Sequence, residues 1–87
     1  MDYLLCIFTT ATTTNRVKNM LDKDLRHVSV VQTPHNLSDG CSYALRFDSR
    51  KLEQLMGICR EYGFRIKGIY KENKDARGGK YYTAYRV

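Results

Sequence analysis

The chain opens on an unbroken apolar run, Tyr3-Leu4-Leu5-Cys6-Ile7-Phe8, closed by Thr9 and Thr10. An apolar run without polar alternation predicts a strand covered on both faces. The pattern then turns helical. Thr9 or Thr10 can supply the oxygen that caps the first free N–H groups. Val17, Met20, Leu21 and Leu25 follow on one side of a helix, with Arg16, Lys18, Asn19, Asp22 and Lys23 facing water between them. The spacing predicts about three helical turns ending near Lys23.

Val28-Ser29-Val30-Val31 is rich in β-branched residues and predicts a second strand, which Pro34 ends because proline has no N–H for a ladder. His35-Asn36-Leu37-Ser38-Asp39-Gly40 has the composition of a turn-rich loop. Tyr43, Leu45 and Phe47 then alternate with Ser42, Ala44 and Arg46, so the first set is expected inward and the second outward. Asp48 or Ser49 can cap a second helix whose inner face would carry Leu52, Leu55, Met56, Cys59 and Tyr62. Gly63 stands where a left-handed terminator belongs, with Phe64 placed to pack back on Cys59. Arg50 and Lys51 in the first turn oppose the helix dipole, an unfavourable placement that an anionic partner would relieve. Phe64, Ile66, Ile69 and Tyr70 predict a fourth strand, Lys71 to Gly79 a charged turn, and Tyr81 to Val87 the returning arm of a hairpin.

The order β-α-β-β-α-β plus one strand predicts an α+β fold of the ferredoxin-like, split β-α-β kind. Two helices would cover one face of an antiparallel sheet and leave the other open. The 87 residues are read as one domain over 1–87, with a core over 3–70 and a basic C-terminal hairpin over 64–87. A chain this short buries only a little over 60% of its unfolded surface. Chemistry is therefore expected at the surface or in a shallow cleft.

Charge adds a second layer. The net charge is +6, yet residues 1–64 hold eight Lys and Arg against seven acids, and residues 65–87 hold seven against two. Arg77, Lys80, Tyr82 and Arg86 are the candidates for binding an acidic protein or RNA, with Tyr81 and Tyr85 available to stack bases. The same residues also suit a soluble edge strand held by cross-strand aromatic pairs. The outward positions of the third strand carry no stacking aromatics, so the usual RNA-recognition sheet is not matched.

Three cysteines, Cys6, Cys41 and Cys59, make no even disulfide set and no CxxC pair. The start carries an acid where a signal peptide carries base, and no apolar stretch reaches the roughly 20 residues of a membrane span. A cytoplasmic location without membrane contact is expected. Cys6 and Cys59 fall at core positions, where thiols behave as small hydrophobes. Cys41 follows Asp39-Gly40 in the loop, where His35 or Arg46, if folded nearby, would favour the thiolate. His27 and His35 show no zinc spacing with cysteine, Asp39 and Asp48 suit a turn and a cap, and no glycine-rich phosphate loop follows a strand. No metal or cofactor is expected.

With these residues in view, the chain resembles the selenium/sulfur carrier-like family. This is a small bacterial family whose members stand alone or follow a sulfur-carrier domain in YedF-type selenium-metabolism proteins. The resemblance runs from Tyr3 to about Tyr70. It rests on the strand entering Thr9-Thr10, Val17-Lys18-Asn19-Met20-Leu21, Pro34, Ser38-Asp39-Gly40-Cys41, Ala44-Leu45-Arg46-Phe47, Gly63-Phe64 and Gly68-Ile69-Tyr70. Where the family carries a basic residue after the proline this chain has His35, and where it carries glycine after the cysteine this chain has Ser42. The resemblance implies a carrier rather than a classical enzyme. Cys41 would hold a sulfane sulfur or selenium, His35, Gly40, Ser42 and Arg46 would stabilise its thiolate, and sulfur- or selenium-transfer proteins would be the partners. The competing expectations are a non-catalytic adaptor, a homodimer formed through the sheet, and RNA binding by the basic hairpin.

Overall fold

The computed structural model describes residues 2–21, 28–37 and 43–85. Along them run β1 (Tyr3–Phe8), α1 (Ala11–Leu21), β2 (Val28–Gln32), β3 (Tyr43–Asp48), α2 (Leu52–Tyr62), β4 (Ile66–Lys74) and β5 (Lys80–Ala84), with short 3-10 turns at His35–Leu37 and Ser49–Lys51. The fold is α+β: two helices and an antiparallel sheet in the order β2-β3-β1-β4-β5.

β1 lies between β3 and β4, and Leu4 through Phe8 are all buried, as a run without polar alternation requires. Its even-numbered residues and its odd-numbered ones feed two separate cores. Leu4, Cys6 and Phe8 join Val17 and Leu21 of α1, Leu45 and Phe47 of β3, and Leu55 and Cys59 of α2. Both helices therefore pack on the same face. Leu5 and Ile7 join Ala44 on the other face, with Val31, Leu37, Tyr70 and Tyr82 packed around them. That face is not open as expected. Ala44, expected outward, is fully buried there, in the cluster against which Val31, Leu37, Tyr70 and Tyr82 pack.

The helix ends follow from local chemistry. Thr10 caps α1: its Oγ1 accepts the Thr13 N–H at 3.1 Å, and its carbonyl accepts the Thr14 hydroxyl at 3.1 Å. Asp48, 2% exposed, caps the turn leading into α2 by accepting the Arg50 N–H at 3.0 Å. Arg50 then folds back so that its Nη2 lies 2.8 Å from the Asp48 carboxylate, which answers the unfavourable cation in the first turn without an outside anion. Gly63 ends α2 at φ 71°, and both its N–H and that of Phe64 reach the Cys59 carbonyl.

Three expectations need correction. Tyr62 shares the helical phase of the core face but is 53% exposed: at the last residue of α2 it stacks on Phe64, with ring centres 5.8 Å apart, instead of entering the core. Tyr43 has the inward parity of Leu45 but is 45% exposed at the strand's end. The charged turn is shorter than Lys71–Gly79. Lys71 to Lys74 continue β4 and pair with β5, while Asp75 holds the reversal by accepting the N–H groups of Arg77 and Gly79. Leu25 and Lys23, expected near the end of the first helix, lie outside the described residues.

Candidate functional site

The register decides which loops meet. Phe8 pairs with Ile66, and Gln32 with Tyr43, so the starts of β3 and β4 and the ends of β1 and β2 share one end of the sheet. The 3-10 turn at His35–Leu37, the cap of α1 and the α2–β4 junction gather at that end. The β4–β5 turn lies at the other. Eight residue steps separate Ile66 from Lys74, about 26 Å along an extended strand.

Cys41, Gly40 and Ser42 lie outside the described residues, as do Arg86 and His27. The connection that carries them is fixed on either side. On one, the Leu37 N–H donates to the Pro34 carbonyl at 2.9 Å and Leu37 packs against the second core. On the other, Tyr43 is held in the β2–β3 ladder. His35 opens the 3-10 turn and is exposed.

Arg46 sits on the face away from the helices, and its charge is engaged. Its Nε and Nη2 each donate to the Glu72 carboxylate at 3.0 Å, and its guanidinium lies 3.7 Å from the centre of the Tyr3 ring. The bridge spans from β3 across β1 to β4. The hydrogen bonds from Arg46 hold the Glu72 carboxyl below its ordinary range against a smaller opposing effect of burial. Lys80 approaches the same carboxylate at 3.8 Å.

The hairpin residues do not form one platform. Tyr82 pairs with Glu72 and packs into the second core, while neighbouring Tyr81 points to the opposite face and is 50% exposed. Arg77 lies in the exposed turn and Lys80 at the base of that turn, at the sheet end remote from the 3-10 turn at His35–Leu37.

Cys6 and Cys59 are free thiols inside the main core, at 0% and 5% exposure. Burial pushes both thiols upward from their ordinary value, and for Cys6 the nearby Cys59 adds to the rise. Neither is a nucleophile at neutral pH. Among the described residues no group of three or more His, Cys, Asp or Glu could hold a metal ion, and no helix is long and apolar enough to cross a membrane.

One feature was not foreseen. Ile7 pairs with Gly68 but Phe8 pairs with Ile66, so Lys67 is an extra residue in β4, a bulge. Ile7, Leu37, Lys67, Gly68 and Tyr70 line an open groove of about 270 Å³ on the second face, at the end of the sheet where β1 ends and β4 begins. The Tyr70 ring lies over Gly68 so closely that a Cβ there would meet its Cε2 at 2.9 Å. The only local sign of it is a glycine within a strand, which often marks a bulge or a close approach.

These observations describe a small α+β protein with two thiols sealed in its main core and a groove on the face away from the helices. Residues 3–71 match the family model described as "Putative Se/S carrier protein-like", and the chain belongs to that family. No curated protein and no solved structure matches it.

Proposed function

We propose that this protein is a carrier in which Cys41 holds a sulfane sulfur or selenium atom and passes it on. The observation that carries the reading is elimination within a carrier family. Of the three cysteines, Cys6 and Cys59 are buried in the core with raised thiols, so a thiol carrier built from this chain has Cys41 to use. In our reading the strand order is the split β-α-β arrangement with β5 appended beyond β4.

The transfer needs no outside oxidant. The Cys41 thiolate attacks the outer sulfur of a donor R–S–S–H, the donor's S–S bond breaks, R–S⁻ leaves with the bonding pair, and Cys41–S–S–H forms. His35, Gly40 and Ser42 are assigned to stabilising the thiolate. Arg46, already satisfied by Glu72, is assigned to the sheet. The adaptor and RNA readings draw no specific support: Tyr82 is packed into the second core, Lys80 lies beside the Glu72 carboxylate, and Tyr81, meant to stack, points to the opposite face.

Intact mass measured on protein purified without reductant tests the proposal. The expected result is an adduct of roughly 32 Da for sulfur or 79 Da for selenium on the Cys41 peptide, absent from Cys41→Ser. A Cys41→Ser protein that still carried the atom would end it.

A further inference from the structure

We infer that the outer edge of β5 is a docking strand for an extended acidic peptide segment, which adds antiparallel to it as a sixth strand of the sheet. The inference stands apart from the carrier reading. It starts from the backbone groups that β5 leaves over. The Tyr85 N–H donates to the Ile69 carbonyl at 2.8 Å, and beyond the other end of the ladder the Asp75 N–H donates to the Gly79 carbonyl at 2.8 Å. Bonded and non-bonded pairs alternate in an antiparallel ladder, so Thr83 opposite Lys71 and Tyr81 opposite Asn73 share that phase and aim their backbone groups at β4. Lys80, Tyr82 and Ala84 aim theirs the other way. Among the described residues no strand pairs with β5 on that side. Sheet edges are commonly blunted by a proline or a bulge. β5 has neither: its register with β4 is regular from Lys80 to Ala84, and its sequence holds no proline. Its outward N–H and C=O groups form a regular row on which a peptide strand can pair.

Charge selects the occupant. Lys74 stands directly opposite Lys80, and Arg77 lies exposed in the turn between them. The neighbouring acids are engaged within the protein: Asp75 accepts the N–H groups of Arg77 and Gly79, and Glu72 accepts two bonds from Arg46. Lys80 reaches Glu72 only at 3.8 Å, which leaves its repulsion with Lys74 partly uncompensated. A carboxylate on a strand beside Lys80 adds the counter-charge. Parity then specifies the rest of the ligand. Residues bonded to Lys80, Tyr82 and Ala84 place their side chains on the face away from the helices, beside Lys80. The residues between them lie on the helix side, against Tyr81 and Tyr85, which are 50% and 38% exposed. The fitting segment therefore alternates acidic and apolar residues. An oligonucleotide meets the same cations but has no amide row to pair with β5. A second copy of this chain brings another basic hairpin and fits the charge less well.

The test titrates the full, isotope-labelled chain with the peptide acetyl-Thr-Glu-Val-Glu-Val-Glu-Thr-amide at low salt, reading amide shifts and hydrogen exchange by NMR. The amides of Lys80, Tyr82 and Ala84 should shift and gain protection, while those of Tyr81 and Thr83, already bonded to β4, change little. Replacing the peptide's glutamates by glutamine should weaken binding roughly tenfold, the summed effect of several exposed charge contacts. Lys74→Gln should weaken it roughly threefold. N-methylation of the same glutamates removes the donors that face β5 without altering the protein, and should weaken binding roughly tenfold or more. A peptide that leaves the β5 amides unmoved at millimolar concentration overturns the inference. So does binding that survives N-methylation or glutamine replacement undiminished. A uridine decanucleotide that shifts the same amides at lower concentration than the peptide assigns the surface to RNA and overturns it. Protection of those amides in a concentration-dependent dimer of the chain alone gives the edge to a second copy, and overturns it as well.

Discussion

The two faces of the sheet are held in different ways. On the helix-covered face, Leu4, Cys6 and Phe8 meet side chains from α1, α2 and β3 in one apolar cluster. Its stability comes from area removed from water. On the other face the apolar cluster is small, built around Leu5, Ile7 and Ala44, and no helix among the described residues contributes to it. What joins the strands there is the Arg46–Glu72 bridge, near the end where β1 starts, while the groove beside Lys67 occupies the opposite end. One face specifies the fold. The other divides its length between a polar clasp and a concavity, which is why a candidate site fits there without thinning the main core.

The sharpest way to break this contrast is to hollow the first face. Phe47 is fully buried among Leu4, Leu45 and the helices. Phe47→Ala should destabilise the protein by about 3–5 kcal/mol, read as a lower urea midpoint at unchanged slope. For so small a domain this approaches the whole stability. A loss below about 1 kcal/mol would mean that the helix face is not the main source of stability.

The second face is probed through its clasp. Arg46→Met leaves the Glu72 carboxylate, whose side chain is 7% exposed, without its two-pronged donor. The expected loss is about 1.5–3 kcal/mol at neutral pH, the scale of hydrogen bonds to charged groups. The pH dependence gives a sharper reading. Glu72 has a folded-state pKa lowered by Arg46, so its contribution is present above the unfolded glutamate value of about 4.3 and fades as pH falls through the folded value. The gap between the natural protein and Arg46→Met should therefore be widest near pH 7 and close below about pH 4. Urea midpoints from pH 7 to pH 3 measure it, and a gap independent of pH would show that Arg46 acts through packing alone.

The difference between the faces also explains what the sequence could reveal. The apolar run Tyr3–Phe8, the stripe through Val17 and Leu21, and the Gly63 stop are local patterns, and each appears in the structure where its period or stereochemistry requires. The second face depends on long-range register. Arg46 and Glu72 are 26 residues apart and meet only because β1 inserts between their strands. The bulge at Lys67 exists only relative to Ile7 and Phe8, about sixty positions earlier in the chain. Strand parity placed Ala44 on the correct face but could not say that Leu37 would cover it. The run Lys71-Glu72-Asn73-Lys74 reads as a turn by composition, yet it alternates along a hairpin whose polar residues pair across strands. The groove lined by Ile7, Leu37, Lys67, Gly68 and Tyr70 was not legible, because it depends on the same long-range register.

The smallest effect sharpens the contrast further. Lys80 lies 3.8 Å from the Glu72 carboxylate and half exposed, and it stands directly opposite Lys74 in the β4–β5 register. The first contact is a long, solvated ion pair, which contributes little. The second sets two like charges across strands, which is unfavourable by a comparable amount. Removing Lys80 takes away both, so Lys80→Met should leave stability within about 0.5 kcal/mol of the natural protein. Added salt should shrink even that small difference, since it screens both exposed interactions. Closely matched denaturation midpoints for Lys80→Met and the natural protein, at low salt and at high salt, are the expected result. A loss above about 1 kcal/mol would show that the clasp on the second face is a three-residue network in which Lys80 shares the carboxylate with Arg46, and the hairpin would then belong to the sheet's support rather than being an appendage to it.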